Sequence, residues 1–319
     1  MRYLSLFSGV EAATVAWEPL GWECVAVCEN SPFPSAVLAE RLPNVPNLGD
    51  ITKITREQYE QLKENKIDLI IGGSPCQAFS LAGDRQGFDD PRGRLMFEYI
   101  RAIDIVRPHY IVWENVRGVL SSNGGKDFGT LLGCLDQLGY DLEWRLLDTQ
   151  DFGLPQSRAR VYLVGHLRGR SDGWVLSHTQ GSGGVETPSS KTRGKGSRTS
   201  SGSIKVTQTN PTKYLSNGRE IVGCLCARDY KGIGSDCVSM GKVIVETSLE
   251  EIRLRKLTPR EYERLQGFPD DWTKIPWNGK PAELCPDGHR YKTMGNTMSV
   301  PVVRWIGQRI TEHYNRGEV

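Results

Sequence analysis

Apolar and polar positions alternate along this chain in two rhythms. Short apolar runs at Tyr3–Phe7, Glu23–Cys28, Ile67–Ile71, Tyr110–Trp113, Leu142–Leu147 and Arg160–His166 read as strands. Between them, helical patterns occupy roughly Glu11–Glu18, Pro34–Arg41, Leu95–Val106 and Phe128–Leu138. Such alternation predicts an α/β fold, with a doubly wound, mostly parallel sheet covered on both faces. A later helix is expected in "RKLTPREYERLQGFPDDW", residues 255–272. Thr258 suits its N-cap, Pro259 its first position and Glu261 a capping box, and Gly267-Phe268-Pro269 stops it. The segment "MSVPVVRWIGQRITEHY" again carries apolar residues at helical spacing and should dock back on the core.

Near residue 170 both rhythms stop. "TQGSGGVETPSSKTRGKGSRTSSGS", Thr179 to Ser203, is almost all Gly, Ser, Thr and basic residues. Between Ser171 and Val245, ten Lys and Arg stand against five Asp and Glu, a local surplus larger than the +2 of the whole chain. Composition alone describes a solvated insertion. The expected organisation is a large domain over 1–169, a smaller inserted domain over 170–254, and a segment over 255–319 that completes the first. A chain of 319 residues is long enough for this. No run of eighteen apolar residues and no signal-peptide layout is present, so a soluble, cytoplasmic protein without a membrane partner is expected. The eight cysteines (24, 28, 76, 134, 224, 226, 237, 285) show no zinc-ligand spacing, so no metal is expected. The default for each is a buried apolar thiol.

The candidate chemistry lies at predicted strand ends. "LSLFSGVEAATVAW" is a strand, a glycine turn and a helix, the arrangement that lies against the cofactor in a doubly wound sheet. The full G-x-G-x-x-G is absent, and Glu11 in the first helical turn would repel a pyrophosphate. Glu29, at the end of the second strand, can accept bonds from two ribose hydroxyls. In "GDI", Asp50 stands where a third strand should end and can accept from an adenine amino group. Together these describe a nucleoside pocket without a phosphate site, which suits S-adenosylmethionine.

Cys76, in "IDLIIGGSPCQAFSLAG", follows the next strand and so lies at the same sheet edge. Basic neighbours or a helix N-terminus can lower a thiol's pKa there. Glu114, ending "IVWENVRG", should be its neighbour, and burial would keep that carboxyl protonated near neutrality. "QSRAR" adds Arg158 and Arg160 at alternate positions, on one face of a strand.

In these motifs the chain resembles the cytosine-5 DNA methyltransferases of bacterial or phage type. FSG (7–9), Glu29, GDI, GGSPCQAFS, ENV, QSRAR, LTPREYERLQGFP and GNTMSVPV (295–302) occur in the family's order and span nearly the whole chain. Glu11 and Ala12 replace family glycines. The resemblance implies a Rossmann-like, S-adenosylmethionine-dependent methyltransferase with an inserted target-recognition domain. It implies that Cys76 adds to cytosine carbon 6, Glu114 donates to ring N3, Arg160 holds the base carbonyl and Arg158 supports the site. Phe7, Ser8, Gly9, Glu29, Asn30, Asp50, Ile51, Pro75, Leu95, Asn296 and Thr297 would then hold the cofactor. The base must leave the duplex. "LAGDRQGFDDPRGR", 81–94, resembles the loop that closes over it, with Gln77, Ser80 and Arg92 stabilising that state. "GCLCARDYKGIG", 223–234, resembles the ordered core of the recognition region, with Arg228, Tyr230 and Lys231 facing DNA. Double-stranded DNA is the expected partner, with a monomeric enzyme and an accompanying restriction endonuclease possible. The rivals are a tRNA cytosine-5 methyltransferase, a catalytically inactive DNA-binding relative, and a Cys hydrolase. The last would need a histidine base, and none of the five histidines stands at a predicted carboxyl edge.

Overall fold

The computed structural model describes residues 1–74, 94–168, 175–176, 212–215, 222, 224–225, 229, 243–247 and 252–317. Among these, the main sheet has six strands: β1 (Arg2–Leu6), β2 (Glu23–Cys28), β3 (Leu69–Gly72), β4 (Tyr110–Val116), β5 (Tyr140–Asp148) and β6 (Ala159–Leu167). Their order is β2-β1-β3-β4-β6-β5. β1 pairs in parallel with β2 and β3, and β3 in parallel with β4. β6 is inserted antiparallel between β4 and β5, so its first residues lie beside the last of β4, with Arg160 opposite Val116.

The central strands are largely apolar because both faces are covered. Alternate side chains serve opposite cores. Tyr3, Leu69, Ile71, Tyr110, Val112, Tyr162 and Val164 face one, while Leu4, Leu6, Ile70, Ile111, Trp113, Val161 and Leu163 face the other. The second core is covered by α3 (Arg56–Glu64), α4 (Arg94–Val106) and α5 (Lys126–Gln137). The first takes α1 (Ala12–Trp17), α2 (Pro32–Arg41), α6 (Pro259–Gln266), α7 (Asp287–Asn296) and α8 (Val300–Gly317). The 255–319 segment thus returns to the sheet. Helix α6 starts as its sequence requires: the Thr258 side chain caps Glu261 N, Glu261 reaches back to Thr258 N, and Gly267 ends it in the left-handed region. A buried ion pair, Glu263 Oε1 to Arg290 Nη2 at 3.0 Å, ties α6 to α7.

The third strand expected to end at Asp50 is absent from the described residues. Only a bridge between Val27 and Asn47 forms, flanked by Val27 N to Pro46 O and Leu48 N to Val27 O. Pro43 and Pro46 carry no N–H, so this edge cannot support a longer ladder. A second antiparallel sheet, β7 (Thr212–Leu215), β8 (Val243–Thr247) and β9 (Ile252–Lys256), lies within and just past the expected insertion. No helix among the described residues is long and apolar enough to cross a membrane.

Candidate active site

Parallel strands β1–β4 end together, and their carboxyl ends open onto a cleft of about 750 Å³. Its size is that of a site for a nucleoside-scale ligand. Of the residues expected to hold a cofactor, Phe7, Gly9, Glu29, Asn30, Asp50, Ile51, Leu95 and Asn296 line it. Ser8 and Thr297 line a small cavity of about 50 Å³ that shares Phe7, Gly9, Gly73, Glu114 and Asn296 with the cleft. Pro75, Cys76, Gln77, Ser80, Arg92, Arg228, Tyr230 and Lys231 lie outside the described residues.

The turn after β1 is shaped by positive φ at Phe7 (54°), Gly9 (57°) and Glu11 (62°). Space is open around a Cβ built on Gly9, so a ligand can approach its backbone. Glu29 fixes this turn to the end of β2. Its Oε2 accepts from Gly9 N at 2.9 Å and its Oε1 from Ser31 N at 2.7 Å. Each oxygen keeps a second lone pair for a hydroxyl donor. Ser8 Oγ accepts from Cys28 N at 2.9 Å and donates to Ser5 O at 3.0 Å, a strand-end tie beside the cleft. Asp50 Oδ1 accepts from Thr52 N and Oγ1, so this carboxylate also caps the short turn that follows.

The repulsive role expected of Glu11 is not what the structure shows. Its backbone turns the side chain into the protein, where only 1% of the residue is exposed. There it accepts from Ser5 Oγ at 2.6 Å and Thr14 N at 3.2 Å, capping its own helix. Burial pushes its carboxyl up to about 7 against the lowering effect of these hydrogen bonds.

The antiparallel entry of β6 brings Arg160 Nε to 3.3 Å from Glu114 Oε1, with both side chains about seven-eighths buried. Burial raises the Glu114 pKa, opposed by the charges of Arg158 and Arg160. Arg158 has a different surrounding. It is buried, and donates through Nη1 to Leu225 O and Gly295 O and through Nη2 to Thr297 O at 2.7 Å. It therefore pins the inserted region and the α7–α8 junction to the start of β6. Cys224 Sγ lies 3.6 Å from Arg160 Nη2. On the other side of Glu114, a Cβ on Gly73 would meet Glu114 Oε2 at 3.2 Å, so glycine there allows the carboxyl to sit against the β3 end. Ser74, the last described residue before Pro75-Cys76, is held by Asn115 Nδ2 to its carbonyl at 3.0 Å and by Trp113 Nε1 to its hydroxyl at 3.2 Å.

Sequence reasoning missed one wall of the cleft. Phe33, Trp277, His289, Lys292 and Thr293 line it, with Phe33 stacked on His289 at 5.1 Å and edge-on to Trp277 at 5.2 Å. His289 therefore does stand at the cleft, contrary to the expectation for the histidines. Phe33 comes from α2, the others from helix α7 and the Trp277 turn, which reach the sheet edge only through tertiary folding. The one local signal was the aromatic and basic content of the "WNGK" and "GHRYK" stretches. The residues present fit S-adenosylmethionine: an open glycine turn, the Glu29 carboxylate after β2, aromatic walls and an acid–guanidinium pair. Among the described residues no cluster suited to a metal ion occurs.

An open sheet of parallel strands with one antiparallel insertion, carrying this cleft at its carboxyl edge, is the fold of the S-adenosylmethionine-dependent methyltransferases. The Dnmt2 methyltransferase of S. pombe shares it, with a TM-score of 0.70 at 19% identity over 98% of both chains. The chain belongs to the C-5 cytosine-specific DNA methylase family, whose model matches residues 1–211 and 171–312. It is 35% identical to the Type II methyltransferase M1.ScrFI of Lactococcus lactis subsp. cremoris, over 83% of this chain and 66% of the relative. It is 31% identical to a protein of Escherichia phage P1 named as a DNA N-6-adenine-methyltransferase, over 97% of this chain and 61% of that one. The chain thus spans less than two thirds of the length of both relatives.

Proposed function

We propose that this protein methylates carbon 5 of cytosine in double-stranded DNA, as a cytoplasmic monomer with S-adenosylmethionine as donor. The observation that carries the reading is the Glu114–Arg160 pair in the nucleoside-sized cleft, at the end of the strand next to the one that leads to Cys76. Carbon 5 is a poor nucleophile until a group adds at carbon 6. The Cys76 thiolate forms that bond while Glu114, whose affinity for a proton burial raises, gives its proton to ring N3. Arg160 faces Glu114 from β6 and holds the base carbonyl oxygen in the same plane of contacts. Bound S-adenosylmethionine supplies the methyl that carbon 5 takes. Loss of the carbon-5 proton then returns an electron pair to the ring and expels the thiolate. Glu29 and Asp50 would accept from the donor's nucleoside, and Phe7, Ile51 and Leu95 enclose it.

The target base must be flipped into the cleft, with Gln77, Ser80 and Arg92 stabilising the opened duplex. The region 170–254 is the target-recognition domain within a catalytic domain built from 1–169 and 255–319. Its basic surplus and Arg228, Tyr230 and Lys231 are suited to phosphate and base contacts. The test is adduct trapping. DNA carrying 5-fluorocytosine, with donor present, should yield a covalent species that survives denaturing electrophoresis and maps to Cys76. Cys76→Ser should abolish trapping and methylation while leaving DNA binding, and Glu114→Gln should slow methyl transfer severely. Nucleoside mass spectrometry of modified DNA should show 5-methylcytosine. N6-methyladenine alone, or an adduct on another cysteine, would overturn the reading.

A further inference from the structure

Glu11 is a buried carboxyl that the proposed mechanism leaves unused. It occupies a left-handed backbone position (φ 62°, ψ 71°) in the turn under the donor cleft, a conformation that costs a non-glycine residue energy. Such strain survives only where the surroundings hold it. Here Ser5 Oγ and Thr14 N each donate to the carboxyl. None of the ion pairs among the described residues involves Glu11, although a buried carboxylate normally requires a cation.

Among the described residues, what lies around it is uncharged or acidic. From β1 it meets Tyr3 and Ser5, from β2 Cys24, and from its own helix Thr14. Its charge in turn raises the pKa of Tyr3 and Cys24, after the larger effect of their own burial. Across the 50 Å³ cavity stands Glu114 of β4, already engaged with Arg160. Residues 296–298 close the remaining side with Asn296, Thr297 and Met298, none of which titrates. The cavity has room for a water or a few, and it shares five lining residues with the cleft. Among the described residues no positive charge faces Glu11, so a cationic ligand at the cleft would meet an unmatched carboxyl.

We propose that Glu11 is the residue by which this site selects a cationic methyl donor over its neutral product. Resting on the cofactor reading above, the assignment names the sulfonium as the charge that Glu11 answers. S-adenosylmethionine and S-adenosylhomocysteine carry the same nucleoside and the same amino-acid tail, and differ by the methyl and the positive charge on sulfur. On the proposed mechanism the methyl is delivered to a base held beside Glu114, and Glu114 and Glu11 both line the small cavity. After transfer the charge is gone and the attraction with it, so the spent cofactor is released more easily. Because the carboxyl titrates near neutrality, the preference should itself depend on pH. Below about 7 Glu11 is neutral and discriminates little, while above it the ionised form favours the cation.

The experiment is calorimetry on the full chain with each compound at pH 6 and pH 8. In the wild type, the ratio of the two dissociation constants should shift toward the sulfonium by about tenfold between these pH values, the equivalent of one pKa unit of coupling. Glu11→Gln and Glu11→Gly should both flatten that dependence; glycine accepts the backbone conformation without strain. A third measurement needs no variant: at pH 7, binding of the sulfonium should release protons into the buffer, and binding of the product should not. Binding of both compounds with a ratio independent of pH and of residue 11 overturns the role of Glu11 alone. Failure of the wild type to bind either compound overturns it together with the cofactor reading.

Discussion

Glu11 and Glu114 both line the small cavity beside the cleft, and they are kept out of water in different company. Glu114 has Arg160 at 3.3 Å, and its charge can be shared. Glu11 has only hydrogen bonds, so its raised pKa is a cost to the folded state once it ionises. The unfolded carboxyl titrates near 4.5 and the folded one near 7, so the stabilising preference for the proton is complete below about 4.5 and is lost as pH rises to about 7. Over that window the free protein should lose roughly 3 kcal/mol from this group. Denaturant unfolding across pH 4.5 to 7.5 should show this slope in the wild type and a shallower one in Glu11→Gln; parallel curves would mean the carboxyl is not taking up its proton in the fold. Glu29, Glu114 and Arg160 could be placed from sequence because each stands near a strand end, where direction follows from topology; Asp50 lines the cleft although no strand ends there, as the cap of the turn Ile51–Lys53. The direction of Glu11 could not, since a left-handed glutamate is set by Ser5 and Thr14 contacts and by what lies over it.

Helices α1 and α8 show how much an element owes to its neighbours. With six residues, α1 is too short to be stable alone. Arg304 of α8 donates to the Val15 and Ala16 carbonyls at its C-terminal end, and Trp17 Nε1 donates to Val303 O at 2.8 Å. The close approach depends on Gly307, where a Cβ would fall 2.3 Å from Trp17 Nε1 and 2.5 Å from its Cδ1. Gly307→Ala should therefore destabilise the protein by about 1–3 kcal/mol through overpacking, despite the better helix propensity of alanine. Urea titration of the two proteins measures it, and equal midpoints would show that α8 shifts freely. Strands and amphipathic helices were legible where hydrophobic spacing was strong. Helix α3 was not, because only Tyr59 and Leu62 are buried, although Thr55 and Gln58 form a capping box. Helix α7 begins Asp287-Gly288 and lacks an apolar stripe, and its place is set by packing against α6.

At the scale of the molecule, Glu114 and Arg160, to which catalysis is proposed, stand on one sheet, while the recognition proposed for 170–254 belongs to an insertion. Transplanting residues 170–254 into a related enzyme should therefore carry its target sequence across, which sequencing of the methylated DNA would read; a chimera keeping its old target would place recognition elsewhere. The two parts are joined by Arg158, whose guanidinium holds Leu225, Gly295 and Thr297 to the start of β6. The contact between Trp17 and Val303 also has a meaning in time. Trp17 and its partner Val303 are 286 residues apart, so on the ribosome the first helix waits roughly 15–60 s for its cover at ordinary synthesis rates. Lys292, Thr293, Gly295 and Asn296, which form one wall of the cleft, emerge in the same late interval. On the proposed function, a nascent chain would carry Cys76 and Glu114 before the wall supplied by Lys292, Thr293, Gly295 and Asn296 exists, and its site would be complete only once that wall has folded.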